Sequence, residues 1–156
     1  MNNKIQIFQY LSLVRYKGVL KIIKKLSKEK VAIILDFEDS SKDIFDAKNT
    51  LKLKKKCREG FEFLSTKKIS YGNIFIRINS IKSKFFKNDI VCLKKFLNKG
   101  IKIKGIFLPK VDKYKDLKLL DNILKLKKNK IKLIPMIENR KGLNNLENIL
   151  LLDKKN

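Results

Sequence analysis

Val31-Ala32-Ile33-Ile34-Leu35 runs directly into Asp36-Phe37-Glu38-Asp39-Ser40. The first five residues are all apolar and mostly β-branched, with no polar residue alternating between them. A strand of that kind is covered on both faces, as in a parallel sheet flanked by helices. Carboxylates begin where the apolar run stops, and a helical stretch follows through about Glu59.

The same unit recurs on either side. Downstream, Ile74-Phe75-Ile76-Arg77-Ile78-Asn79 reads as a third strand, followed by a helix burying Ile90, Leu93, Phe96 and Leu97. Gly105-Ile106-Phe107-Leu108 is a fourth strand, stopped by Pro109, and Leu117, Leu120, Ile123 and Leu124 mark the helix after it. A fifth runs from Ile131 to Ile137, holds Pro135 and ends at Glu138; Pro135 implies a bulge or an irregular strand end. Gly142 and a short helix from Leu143 to Leu152 follow. Upstream, Ile5-Gln6-Ile7-Phe8 is a weaker first strand, and Val19, Leu20, Ile22, Ile23 and Leu26 recur at helical spacing.

The chain is therefore βα repeated five times, an α/β pattern with parallel strands and right-handed crossovers, read as a single domain over residues 1–156. A doubly wound open sheet and a TIM barrel both satisfy it. No GxGxxG or Walker lysine follows the first strand, so nothing supports a nucleotide-binding fold.

Chemistry collects where the strands end: Asp36, Glu38 and Asp39 after the second, Arg77 and Asn79 on the third, Lys110 after the fourth, Glu138 after the fifth. In a TIM barrel these positions share the face that holds the active site. Plainer roles exist for each. The acidic run would serve as a solvated turn and helix N-cap, Lys110 as one solvated lysine among many, and Arg77 with Glu138 as a structural ion pair.

Composition narrows the chemistry. The absence of histidine excludes Ser-His-Asp and Cys-His machinery and a histidine base. Cys57 and Cys92 are far apart and read as reduced, buried thiols. No apolar run approaches the ~20 residues of a membrane helix, and no signal peptide is evident, so a cytoplasmic protein is expected. The net charge is +24, yet only Arg15, Arg58, Arg77 and Arg140 of the 39 basic residues are arginines. Lysines spread over the whole chain read as a solvated surface rather than a nucleic-acid patch; a basic polyanion-binding protein is the alternative.

Four segments together resemble the citrate lyase β-subunit family, also called the HpcH/HpaI aldolases. They are Ile34-Leu35-Asp36-Phe37-Glu38-Asp39-Ser40, Ile76-Arg77-Ile78-Asn79, Leu108-Pro109-Lys110-Val111-Asp112, and Ile134-Pro135-Met136-Ile137-Glu138-Asn139 with Gly142-Leu143-Asn144. The resemblance implies a TIM barrel, here about five βα units of it, and Mg²⁺-dependent carbon–carbon lyase or aldolase chemistry. The implied small-molecule substrate is a hydroxyacyl-CoA thioester, such as citryl-CoA or malyl-CoA, or a hydroxy keto acid. By the same resemblance Arg77 would hold the keto-acid carboxylate and stabilise the developing enolate oxygen, and Glu138 would ligate Mg²⁺. Glu38 and Asp39 would act through bound waters or by orienting Arg77 and Lys110, and Asp36 would end its strand.

Two departures accompany it. Phe8 to Lys17 lacks the family's arginine- and proline-containing loop, with Arg15 the only arginine there. The family's second metal-binding aspartate, after a sixth strand, falls beyond Leu152, and Asp153 does not match it. A full barrel takes about 250 residues. Three expectations follow: an inactive remnant, one part of a split or self-associating enzyme completed by a C-terminal fragment or a second copy, or an open α/β fold with a binding role.

Overall fold

The computed structural model describes residues 7–29, 31–67 and 73–150. Strands β1 (Phe8–Ser12), β2 (Ala32–Asp36), β3 (Ile74–Arg77), β4 (Gly105–Leu108) and β5 (Lys132–Pro135) alternate with helices α1 (Tyr16–Lys28), α2 (Ala47–Ser65), α3 (Phe86–Asn98) and α4 (Tyr114–Leu124). Two short helices, α5 (Arg140–Asn144) and α6 (Leu146–Leu150), follow β5. Every strand pair is parallel, and the sheet order is β1-β2-β3-β4-β5. Each crossover thus steps one strand in the same direction. A doubly wound sheet reverses at a switch point, whereas a barrel wall does not. The sequential order decides between the two folds that the alternation allows, in favour of the barrel wall.

The sheet has two unlike faces. Ile33, Leu35, Ile74, Ile76, Ile106 and Leu108 join the helices in the main core. Ala32, Ile34 and Phe75, with Phe107 and Ile134, form a smaller cluster on the other side. There Phe8 meets Phe75 and Phe107 edge-on, at centroid distances of 5.3 and 5.8 Å. All five residues of β2 are buried, as its unbroken apolar run requires.

On α2 the buried positions Thr50, Lys54, Cys57, Phe61 and Leu64 follow the three-and-four spacing of a helix face. That stripe carries the helix well past Glu59 to Ser65. Phe61 stacks on Phe96 of α3 at 4.0 Å and meets Phe37 edge-on at 5.0 Å. The N-cap of α2 is Asp46, whose side chain accepts from Lys48 N at 2.7 Å. The acidic run after β2 therefore does not cap this helix; it enters a 3₁₀ turn at Asp39–Ser41.

Three expectations need correction at element ends. The first strand lies further along than Ile5–Phe8, because pairing runs from Phe8↔Ala32 to Ser12↔Asp36; Ile5 and Gln6 lie outside the described residues. The fifth strand is shorter than Ile131–Ile137 and ends at Pro135 without a bulge. The amides of Lys132 and Met136 bond Lys104 O and Leu108 O, so alternation turns the Pro135 nitrogen away from β4, where its missing N–H breaks no described ladder bond. The last helix is two short ones; Leu151, Leu152 and Asp153 lie outside the described residues.

Cys57 and Cys92 are free and buried, and burial pushes both thiols up to about 12. Among the described residues no helix is long and apolar enough to cross a membrane.

Candidate active site

The carboxyl ends of β2 and β3 place Asp36 beside Arg77, its direct partner in the parallel register. Asp36 is 1% exposed and takes the guanidinium side-on: Nε donates to Oδ1 and Nη2 to Oδ2, each at 2.7 Å. The same carboxylate accepts the backbone N–H groups of Glu38 at 2.9 Å and Ser40 at 3.0 Å. One side chain thus ends the strand, builds the turn after it and holds the arginine. Arg77 Nη1 lies 3.2 Å from Glu38 Oε2 and 3.3 Å from Asp39 Oδ2, and the Tyr10 ring stacks against the guanidinium at 4.7 Å. Arg77 and Glu138 do not pair; the described ion pairs of Arg77 are to Asp36, Glu38 and Asp39.

Charge balance follows from these contacts. Burial alone would raise the Asp36 carboxyl, but the Arg77 bonds and the two backbone donors outweigh it and hold the group below its ordinary value. Glu38 goes the other way: burial dominates and raises it, against the opposing pull of Lys110. For Arg77 burial works against the cation, yet the surrounding carboxylates prevail and raise it.

Lys110 reaches across from the β4 end and donates to Glu38 Oε1 at 3.0 Å, so Glu38 lies between lysine and arginine. Lys110 has a left-handed backbone, φ +55°, a conformation that costs a non-glycine residue about 1–3 kcal/mol. Its amine is raised by the Glu38 bond and charge, with Glu138 and Asp39 adding to them. Glu138 itself is exposed and makes no hydrogen bond or ion pair among the described residues. Its loop is nevertheless anchored. Asn139 donates to Asp112 Oδ1 at 2.8 Å and accepts from Gly142 N at 2.9 Å, and Lys82 pairs with the other Asp112 oxygen. Gly142 lies so close to the β4 loop that a Cβ there would sit 2.3 Å from Val111 O, which is why only glycine fits.

Asp36, Glu38, Asp39 and Glu138 gather here with Arg77, Lys110 and, beneath them, Lys54, and Lys42 lines the same cleft, in a chain whose overall charge is +24. Carboxylates are thus concentrated at the strand ends and nearly balance the cations there. No cluster of three or more Asp, Glu, Cys or His side chains forms a ready metal cage among the described residues. Among the described residues the available donors are hard carboxylate oxygens: Glu138, which makes no hydrogen bond or ion pair there, and the buried Glu38 Oε2, which has Arg77 nearby but no hydrogen-bond donor. That set fits Mg²⁺ of the kind held by one or two carboxylates and completed by water and substrate oxygens.

A family model, HpcH/HpaI aldolase/citrate lyase, matches residues 23–155. The chain belongs to that family. No curated protein matches it significantly. Among solved structures it is similar to protein CitE from Mycobacterium tuberculosis in complex with magnesium and acetoacetate, with a TM-score of 0.69 and 17% identity over 98% of this chain and 53% of that one. CitE in complex with magnesium, acetoacetate and coenzyme A matches with a TM-score of 0.66 at 16% identity, over 96% of this chain and 45% of that one. RipC from Yersinia pestis matches with a TM-score of 0.61 at 23% identity, over 94% of this chain and 52% of that one. At such identities the likeness shows the fold. This HpcH/HpaI chain spans about half the length of these structures, as five βα units of a TIM barrel would.

Of the residues singled out in the sequence of this family member, Arg77, Glu38, Asp39 and Lys110 form one contact network, and the charge of Glu138 is felt at Lys110 and Tyr10. Sequence reading missed the second role of Asp36, as bidentate partner of Arg77, and missed Lys54 altogether. Lys54 is 2% exposed and donates to Phe37 O, Glu38 O and Asn79 Oδ1. A signal for it existed: Lys54 falls on the buried face of α2, four residues after Thr50 and three before Cys57.

Proposed function

We propose that this chain carries the substrate-holding part of a Mg²⁺-dependent carbon–carbon lyase. The reaction would cleave a hydroxyacyl-CoA thioester or hydroxy keto acid to an acyl-CoA or enolate and a keto acid. The observation that carries this reading is the concentration of four carboxylates at the strand ends of a strongly basic chain of the HpcH/HpaI family, with an arginine fixed among them. Keto-acid and coenzyme A ligands accompany magnesium in the CitE structures, and they set the ligand classes to test here.

Arg77 would bind the keto-acid carboxylate. A guanidinium has five N–H donors in a rigid fork. Nε and one Nη2 hydrogen face Asp36 while Nη1 faces Glu38 and Asp39, which leaves the second Nη2 hydrogen for a substrate oxygen. The bidentate Asp36 contact fixes the plane of the fork before substrate arrives, so no rotamer entropy need be lost at that moment. For a hydroxy keto acid, whose enolate oxygen lies next to the carboxylate, the second Nη2 hydrogen would be shared with the oxygen that takes up the electron pair as the carbon–carbon bond breaks and the substrate hydroxyl gives its proton to water. Glu38, between Arg77 and Lys110, would keep both cations aimed at the site, and Asp39 would hold the outer edge of Arg77. Glu138 would hold Mg²⁺, with Glu38 acting through water. Mg²⁺ would supply Lewis-acid polarisation of a substrate carbonyl.

The test is incubation of the purified chain with citryl-CoA or malyl-CoA, with acyl-CoA release followed by chromatography. Release that requires Mg²⁺ and stops on chelation supports the proposal; release no faster than in buffer containing Mg²⁺ contradicts catalysis by this chain.

A further inference from the structure

A buried polar chain runs beneath the site and uses residues that the proposed chemistry does not. Arg58 Nη1 on α2 donates to Asp89 Oδ1 on α3 at 3.2 Å. The other Asp89 oxygen accepts from Asn79 N at 3.0 Å and Asn79 Nδ2 at 2.6 Å. Asn79 Nδ2 also donates to Phe37 O at 3.0 Å, and Asn79 Oδ1 accepts from Lys54 Nζ at 2.9 Å. Lys54 Nζ finally donates to Phe37 O at 2.5 Å and Glu38 O at 2.6 Å. All three ammonium hydrogens are thereby assigned, two of them to the backbone of the segment that carries Glu38.

An apolar residue at position 54 would suit the buried stripe of α2 without the desolvation that a lysine there incurs. Burial lowers its amine, with Asp89 the leading opposing charge. What the lysine provides is a fixed position for the carbonyls of Phe37 and Glu38. A displacement there moves the carboxylate that lies between Arg77 and Lys110.

We infer that Lys54 is a positioning residue, clamping the Phe37–Glu38 backbone from below so that Glu38 can hold Lys110 and Arg77 in place. This rests on the proposed function only for its catalytic consequence; the clamp itself can be read without any substrate. Glu38 holds the half-exposed Lys110 amine by a hydrogen-bonded ion pair, so the rate at which Lys110 is acylated by a small amine-reactive ester at mildly alkaline pH, followed by peptide mass spectrometry, reports whether Glu38 is in place. Lys82 on Asp112, away from the clamp, is the internal control, and Glu38→Ala sets the rate of full release.

Lys54→Met is expected to raise the Lys110 rate at least threefold, toward that of Glu38→Ala, with Lys82 unchanged. A folded Lys54→Met with Lys110 as slow as wild type overturns the inference. Should that variant not fold, Asn79→Ala removes one of the three acceptors and is expected to give a smaller rise; a wild-type rate overturns the inference equally. Keto-acid binding in the presence of Mg²⁺, measured on the same samples, separates the two claims. Faster Lys110 acylation in a chain that binds no keto acid supports the clamp and contradicts the proposed function.

Discussion

Arg77→Ala is expected to destabilise the chain by about 3–5 kcal/mol, the range for removing one partner of a buried ion pair. The cost arises because Asp36, 1% exposed, would keep its burial and lose its two strongest donors, while Glu38 and Asp39 would face it without a cation between them. For a domain near this size that is a fall in Tm of roughly ten degrees. Arg77→Lys restores charge but not the side-on fork, and is expected to recover only part of the loss.

The pH dependence carries a definite sign. In the wild type the Asp36 carboxyl lies below its ordinary value, so the unfolded chain takes up the proton first. The Asp36 contribution is present above about pH 4, the ordinary aspartate value, and is lost as pH falls through the folded value. Without Arg77, burial is left as the largest influence and raises the group instead. The variant's deficit should therefore shrink as pH is lowered from 7 toward 4.5 in denaturant titrations. An equal deficit at both pH values would show that Arg77 stabilises by packing rather than by neutralising Asp36.

The cleaner test of function is Glu138→Gln. Glu138 is exposed and has no described hydrogen-bond or ion-pair partner, so its replacement should leave the ligand-free Tm within about a degree, as surface changes of under ~0.5 kcal/mol do. The amide removes the anionic oxygen that Mg²⁺ prefers. Enhancement of acetoacetate binding by Mg²⁺ is expected to fall at least tenfold, read by calorimetry with and without the metal. Full retention of that enhancement would move the metal away from the β5 end and sink the assignment. Arg77→Ala cannot serve this purpose alone, because lost binding and lost folding would look alike.

The fold was legible because β2 to β5 are short, largely apolar runs with a charged residue at their end or within three residues after it, and the helices bury residues at three-and-four spacing. What the pattern left open was strand order, since alternation of β and α says nothing about which strands are neighbours; the pairing registers supplied it. Element ends were the weaker part. Pro135 reads as a disturbance in a central strand, yet its nitrogen points away from β4 and disturbs nothing described. The clustering of Arg77, Glu38, Asp39 and Lys110 could be anticipated from their strand-end positions. The pairing of Asp36 with Arg77 could not, because direct register across β2 and β3 is a tertiary fact. Lys54 was hidden for a different reason. In a chain so rich in lysine the residue type carries almost no information, and only its place on the apolar face of α2 marks it.

The most direct measurement is a thermal melt of the purified chain with Mg²⁺ alone, acetoacetate alone, and both together. A ligand at about 100 times its Kd stabilises the native state by about 2.7 kcal/mol, several degrees in a domain of roughly 150 residues. A cooperative transition that rises by that much only when metal and keto acid are both present is the predicted result. A transition indifferent to the pair, at concentrations up to tens of millimolar, would contradict a magnesium and keto-acid site at the strand ends.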